Sequence, residues 1–250
     1  MPITSLLTAT RARILRSVGW LFAHRLATLL NSLIIGVFVA RHLGPDGFGV
    51  LNYAMSLVAV VAPMTKLGLK NLSLREYKLH PEESDTILGT VTLMRLFGTV
   101  LAILVVFAVA SLYPIDHEHI AILCLILAGT MLFRAIDTIQ EFFISDQNPK
   151  PFVMYSVGVL LLFSGMKIGL ILTGQSVNAF ILANAGQTAA HGMSALVAYR
   201  LYRGAPVRLR VDSARMRRYF VQALPLTLGA LSGVIYMKID ILFLSYMVGK

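Results

Sequence analysis

Apolar residues in this chain fall in blocks of about twenty separated by short polar segments, and they nowhere alternate with a period of two. A hydropathy window of about nineteen residues isolates seven blocks, at 20–40, 48–68, 87–110, 120–143, 152–173, 177–199 and 221–248. At about 1.5 Å per residue each is long enough to cross a hydrocarbon layer of about 30 Å, where the backbone must satisfy its own hydrogen bonds. That requirement selects helices, and the missing alternation excludes barrel strands. The expected fold is therefore all-α: a polytopic transmembrane helix bundle of seven spans, with adjacent spans antiparallel because their outer loops are short.

Composition agrees. With 57% hydrophobic and 14% charged residues the chain has too few charges to cover a water-soluble globule. A net charge of +10 would suggest nucleic acid in a polar protein, so the positions of the cations matter. With a cytoplasmic N-terminus, fourteen of the Lys and Arg residues fall in inside segments, among them Arg11, Arg13, Arg16, Lys150, Arg200, Arg215 and Arg218, against only Arg41 and Lys250 outside. This asymmetry predicts a cytoplasmic N-terminus, and the inside charge faces anionic membrane lipids. Nucleic acid is not needed.

The predicted organisation is a cytoplasmic interfacial segment at 1–19, a six-helix lobe at 20–199, a basic cytoplasmic connector at 200–220 and one further helix at 221–250. In the connector, Asp212 or Ser213 is placed to cap a basic helix over 214–220.

Charges inside the spans are more informative, because each costs roughly 2.5–3.5 kcal/mol to insert near a helix centre. The cations are Arg25, Lys66, Arg95, Arg134, Lys167 and Lys238, and the acids are Asp137, Glu141 and Asp240. Arg25, Lys66 and Arg134 lie close enough to the cytoplasmic end to snorkel, whereas Arg95 and Lys238 lie too deep and are expected to face water or a ligand. The surplus of positive charge calls for an anionic ligand. Arg134, Asp137 and Glu141 share a helical face at i, i+3 and i+7, which allows an ion-pair ladder. Polar stripes at helical spacing, such as Asn184, Gln187 and His191, suit either helix contacts or a pathway, and Gly165–Gly169 and Gly229–Gly233 have the spacing of close helix packing.

Motifs of catalysis and cofactor binding are missing: there is no phosphate-binding loop, no metalloprotease or nucleophile-elbow motif and no zinc spacing. Cys124 has no partner for a disulfide or a thiolate site. His117, Glu118 and His119 read as a solvated turn. Neither an enzyme nor a cofactor nor a bound metal is expected.

The first outer turn reads Arg41-His42-Leu43-Gly44-Pro45-Asp46-Gly47-Phe48-Gly49, in which Gly44 and Pro45 stop one helix and Phe48 opens the next. The pattern R-x-L-G-P-x-x-F-G resembles the hallmark turn of the oligosaccharide flippases, the Wzx-type transporters of the multidrug/oligosaccharidyl-lipid/polysaccharide exporter superfamily. Leu67-Gly68-Leu69 with Arg75-Glu76, and Ile235-Tyr236-Met237-Lys238-Ile239-Asp240, are similar to two further segments of that family.

The resemblance implies a multi-pass protein of the bacterial cytoplasmic membrane, with two lobes around a cationic cavity. It also implies outward transfer of a polyprenyl-diphosphate-linked glycan by alternating access during polysaccharide biosynthesis. Some members couple this to H+ or Na+. Such transporters have about twelve to fourteen spans, so a second lobe is expected beyond these residues, and the chain is expected to be a fragment. On this reading Arg25, Lys66, Arg95 and Lys238 bind the diphosphate, and Asp240 or the Asp137–Glu141 pair carries ion coupling. A drug or cation antiporter of the same superfamily is expected to hold more acids than cations in its spans. A purely structural membrane protein is expected to hold Arg95 against a carboxylate.

Overall fold

The structure is a computed structural model that describes residues 3–112, 118–204 and 209–248, with the side chains of 3–13, 109–112, 118–121, 123, 230 and 237–248 left out of that description. Every regular element among the described residues is helical: α1 (Ile3–Lys66), α2 (Lys70–Leu79), α3 (Ser84–Leu112), α4 (Glu118–Thr130), α5 (Thr138–Ser145), α6 (Lys150–Leu172), α7 (Val177–Arg203) and α8 (Ser213–Val248). A 3-10 turn at Pro81–Glu83 precedes α3, and a 3-10 segment at Met131–Asp137 joins α4 to α5. Four stretches among the described residues are long and apolar enough to cross a membrane: Ile14–Leu79, Pro81–Ala108, Lys150–Leu172 and Ser213–Tyr236.

Within the first of these stretches α1 is itself two helices, followed by α2. At Gly44 the backbone leaves the helical region with φ 67° and ψ −178°, a conformation that only glycine adopts cheaply, and Pro45 then opens the second arm with a φ already suited to a first helical position. The arms pack on one another, since Ile35 and Val39 of the first and Leu51, Ala54 and Leu57 of the second belong to one buried cluster.

Hydrogen bonds between helices give their relative directions. His24, Asn31 and His42 of the first arm pair with Ser156, Ser164 and Gln175 in ascending order, so this arm runs parallel to α6. Ser156 pairs with His191 and Lys167 with Asn184, so α6 and α7 are antiparallel. This alternation is what short outer turns impose.

Helices approach most closely at glycines that the sequence pattern did not single out. A Cβ on Gly98 would overlap the carbonyl oxygen of Met64, one on Gly192 that of Phe133, and one on Gly89 the backbone of Arg210. Gly165, Gly169, Gly229 and Gly233, expected at helix contacts, have open space where a Cβ would sit. The small-residue spacing is present there, but among the described residues no neighbouring helix uses it.

The connector is stitched to the segment before α3. Asp212 Oδ1 caps α8 by accepting the N–H groups of Ala214 (2.9 Å) and Arg215 (3.2 Å), as expected of a cap at this position. The basic helix expected over 214–220 is the first part of the continuous α8. Arg218 lies 3.3 Å from Glu76, Tyr219 donates to the same carboxylate at 2.9 Å, Arg215 pairs with Glu83, and Arg203 lies 3.9 Å from Asp85. Part of the connector's positive charge is therefore answered by the acids of 76–85. Leu69, Tyr77, Ile87, Met94, Tyr219 and Ala223 form the apolar cluster beneath these pairs.

Candidate functional site

A cavity of about 430 Å³ opens between the second arm of α1, the α4 to α5 region and α7. The apolar part of its wall comes from Met55, Val58, Ala59, Ala62, Leu127 and Met131, and the polar part from Lys66, Thr130, Arg134, Asp137, Asn184, Gln187, Thr188 and His191.

Each element presents these residues for a local reason. On the second arm, Met55, Ala59, Ala62 and Lys66 recur at steps of three and four, one stripe of an α-helix. Lys66 is the last residue of α1, where the following Leu67 and Gly68 both take positive φ, 46° and 58°, and turn the chain away. On α7, Asn184, Gln187, Thr188 and His191 form a second stripe. In the 3-10 segment, three residues per turn bring positions three apart into line, so Met131, Arg134 and Asp137 all reach the wall.

That winding also breaks the expected ladder. The 3-10 segment turns about 20° more per residue than an α-helix and rotates Glu141 out of line with Arg134. Glu141 faces α3 instead. There Arg95 Nη2 donates to its Oε1 at 2.6 Å, Arg95 Nη1 donates to Thr138 Oγ1 at 3.1 Å, and Ser73 donates to Glu141 Oε2. The pair is almost sealed, with side-chain exposures of 2% and 6%. Arg95 was expected to face a ligand and Glu141 to carry ion coupling. The structure places both in a buried pair outside the cavity wall, joining α2, α3 and α5. For Arg95 this is the arrangement expected of a structural role.

The other expected site residues are dispersed. Lys66 and Asp137 line the cavity. Arg25 is exposed on the first arm and is not part of the cavity wall; its neighbour His24 turns toward α6 and bonds Ser156. Lys238 and Asp240 lie outside the described side chains, as do His117, Glu118 and His119. Lys167 donates to Asn184 Oδ1 at 2.9 Å and Gln187 Oε1 at 2.8 Å, so a third cation, behind Lys66 and Arg134, backs the cavity through its amides.

Arg134 was assigned to the ladder and not to ligand binding, and the cavity gives it a different position. The stripe of Asn184, Gln187 and His191 was legible in the sequence, with its pathway and packing readings left open. Among the described residues no ion pair within 4.0 Å joins Lys66, Arg134 and Asp137. Two cations thus meet one carboxylate in a wall otherwise made of amides, hydroxyls and an imidazole. Behind His191, its Nε2 lies 2.9 Å from Ser156 Oγ, which lies 2.8 Å from His24 Nε2, so a hydrogen-bonded chain runs from the cavity across α6 to α1.

A bundle of long apolar helices around a polar cavity fits a membrane transporter. The family described as polysaccharide biosynthesis protein matches residues 14–250, and the chain belongs to it. Comparison with curated proteins and with solved structures gave no match.

Proposed function

We propose that this protein is part of a flippase that moves a polyprenyl-diphosphate-linked oligosaccharide from the inner to the outer leaflet of a bacterial cytoplasmic membrane. In this reading the chain crosses the membrane seven times with its N-terminus in the cytoplasm. Residues 20–199 form one lobe, and a second lobe completes the transporter. The observation that carries the reading is the cavity wall in which Lys66 and Arg134 face Asp137, Asn184, Gln187 and His191, in a chain of the polysaccharide biosynthesis family.

Arg134 holds a phosphate oxygen pair through its planar fork, Lys66 acts as a point charge, and the neutral donors take the sugar hydroxyls. The lipid tail stays in the bilayer, and rocking of the lobes exposes the head group outward. Because Glu141 is held by Arg95, Asp137 is, among the described residues, the carboxylate left at the cavity to carry H+ or Na+ coupling. The chemistry is transfer across a membrane without bond cleavage, so the protein is not an enzyme. A drug or cation antiporter is less well matched by a wall with two cations and one acid.

The test is Lys66→Ala and Arg134→Ala in the chromosomal copy, with membrane insertion followed by immunoblot and export by surface polysaccharide. The expected result is normal insertion, lost export and lipid-linked glycan accumulating on the cytoplasmic side. Wild-type export from the double variant overturns the reading.

A further inference from the structure

A second cavity, of about 410 Å³, shares no lining residue with the first and lies where Arg16, Ser17 and Trp20 of the first arm meet the turn between α5 and α6. Lys150 stands 5.9 Å from the centroid of the Trp20 ring, within cation–π range. Arg16 is exposed at the rim, and among the described residues no ion pair holds it or Lys150. The carboxylate of Asp146 also lies in this cavity and accepts a hydrogen bond from Tyr202 at 2.6 Å. Two cations against one carboxylate leave the cavity net positive.

Three of its residues, Asn148, Lys150 and Tyr202, also line a neighbouring trough of about 610 Å³. The rest of that trough is mostly apolar, with Pro151, Met154, Tyr155, Ala198 and Leu201, of which Met154 is 57% and Leu201 64% exposed. A polar, positively charged cavity that shares a wall with an outward-facing apolar trough fits one kind of ligand: an amphiphile with an anionic head and a hydrocarbon tail.

We infer that this paired cavity and trough is a binding site for an anionic phospholipid, separate from the transport cavity. Arg16 and Lys150 hold the headgroup phosphate, the first through paired N–H donors and the second as a point charge on the indole face. The N-terminal end of the 23-residue α6 adds its positive dipole end beside the same cavity. One acyl chain lies along Met154 and Leu201. Trp20 and the two tyrosines sit where a headgroup region prefers amphipathic rings. The site does not depend on what the transporter carries.

Trp20 is the only tryptophan of the chain, so its emission reads the cavity directly. The purified chain in detergent is titrated with phosphatidylglycerol carrying brominated acyl chains, with phosphatidylcholine carrying the same chains, and with inorganic phosphate. Phosphatidylglycerol is expected to quench Trp20 saturably, phosphatidylcholine at least tenfold more weakly, and inorganic phosphate is expected neither to change the emission nor to displace the lipid at equal concentration. Arg16→Ala with Lys150→Ala is expected to weaken phosphatidylglycerol at least tenfold, while Arg75→Ala with Arg217→Ala, two exposed cations that line neither cavity nor trough, leaves it unchanged. Should the double variant fail to fold, Lys150→Gln alone is expected to give a smaller loss in the same direction. Equal quenching by both lipids, displacement by inorganic phosphate, or variants that bind like the wild type would each overturn the inference.

Discussion

Arg95 shows how far one residue's role depends on a partner that lies elsewhere in the chain. Its depth in an apolar span identifies it as expensive, and an expensive charge needs an anion. The sequence does not say whether that anion is cargo or a side chain 46 positions away. Breaking the pair leaves a sealed carboxylate without its cation, which costs about 3–5 kcal/mol, whereas replacing both members by apolar residues of similar volume is close to neutral. Arg95→Ala is therefore expected to lower the melting temperature of the detergent-solubilised protein sharply, and Arg95→Met with Glu141→Leu to recover most of the loss; a single variant as stable as wild type would contradict the structural role. Asp137 is the complementary case, a carboxylate that the sequence placed in a ladder and that the structure leaves at the cavity. If it carries coupling, Asp137→Asn flattens the dependence of export on pH or sodium. An unchanged dependence would remove Asp137 from coupling.

At the scale of elements, the apolar blocks and the Gly44-Pro45 break were legible because helix length and backbone conformation are local properties. All seven blocks lie on helical segments. The 3-10 winding of Met131–Asp137 was not legible, because a seven-residue segment within an apolar run carries no residue type that separates a 3-10 turn from an α-helix. This winding aligns Arg134 and Asp137 on the cavity wall.

Neither α7 nor α4 is among the four stretches long and apolar enough to cross a membrane, and both help line the cavity. In α7 the polar residues that weaken the hydropathy signal are the ones that make the wall, whereas α4 is strongly apolar but only 13 residues long. Close packing was equally hidden, since it depends on which neighbour arrives. Gly98→Ala, where a Cβ would meet the Met64 carbonyl, is expected to destabilise by more than about 1 kcal/mol, as overpacking does. Gly165→Ala, in open space within α6, is expected to stabilise by about 0.5–1 kcal/mol through helix propensity. Thermal melts of the two variants test this, and the same sign for both would contradict it.

For the whole molecule, the proposed two-lobe transporter makes the connector the place where motion between lobes is transmitted. It is tied to α3 by the N–H of Asp212, which donates to Thr90 Oγ1 at 3.1 Å, and by the Asp85 pair, and to α2 and the 3-10 turn before α3 by the Glu76 and Glu83 pairs. Cross-linking Thr90→Cys to Asp212→Cys is expected to arrest export on oxidation and restore it on reduction, with the buried native Cys124 giving little background. Export that continues at full rate in the oxidised protein would mean that the connector moves with α3 throughout the cycle.

The central claim is that Lys66 and Arg134 hold a lipid-linked diphosphate in the cavity, and binding tests it more directly than export. Hydrogen bonds to charged groups contribute about 1.5–3 kcal/mol each, so losing one such contact weakens binding roughly ten- to a hundredfold. The measurement is the dissociation constant of a polyprenyl diphosphate for the purified protein, wild type against Lys66→Ala and Arg134→Ala, with Arg25→Ala as the cation outside the wall. A loss of that size in the first two and none in the third is the predicted result. Equal affinity in all four proteins would contradict the account.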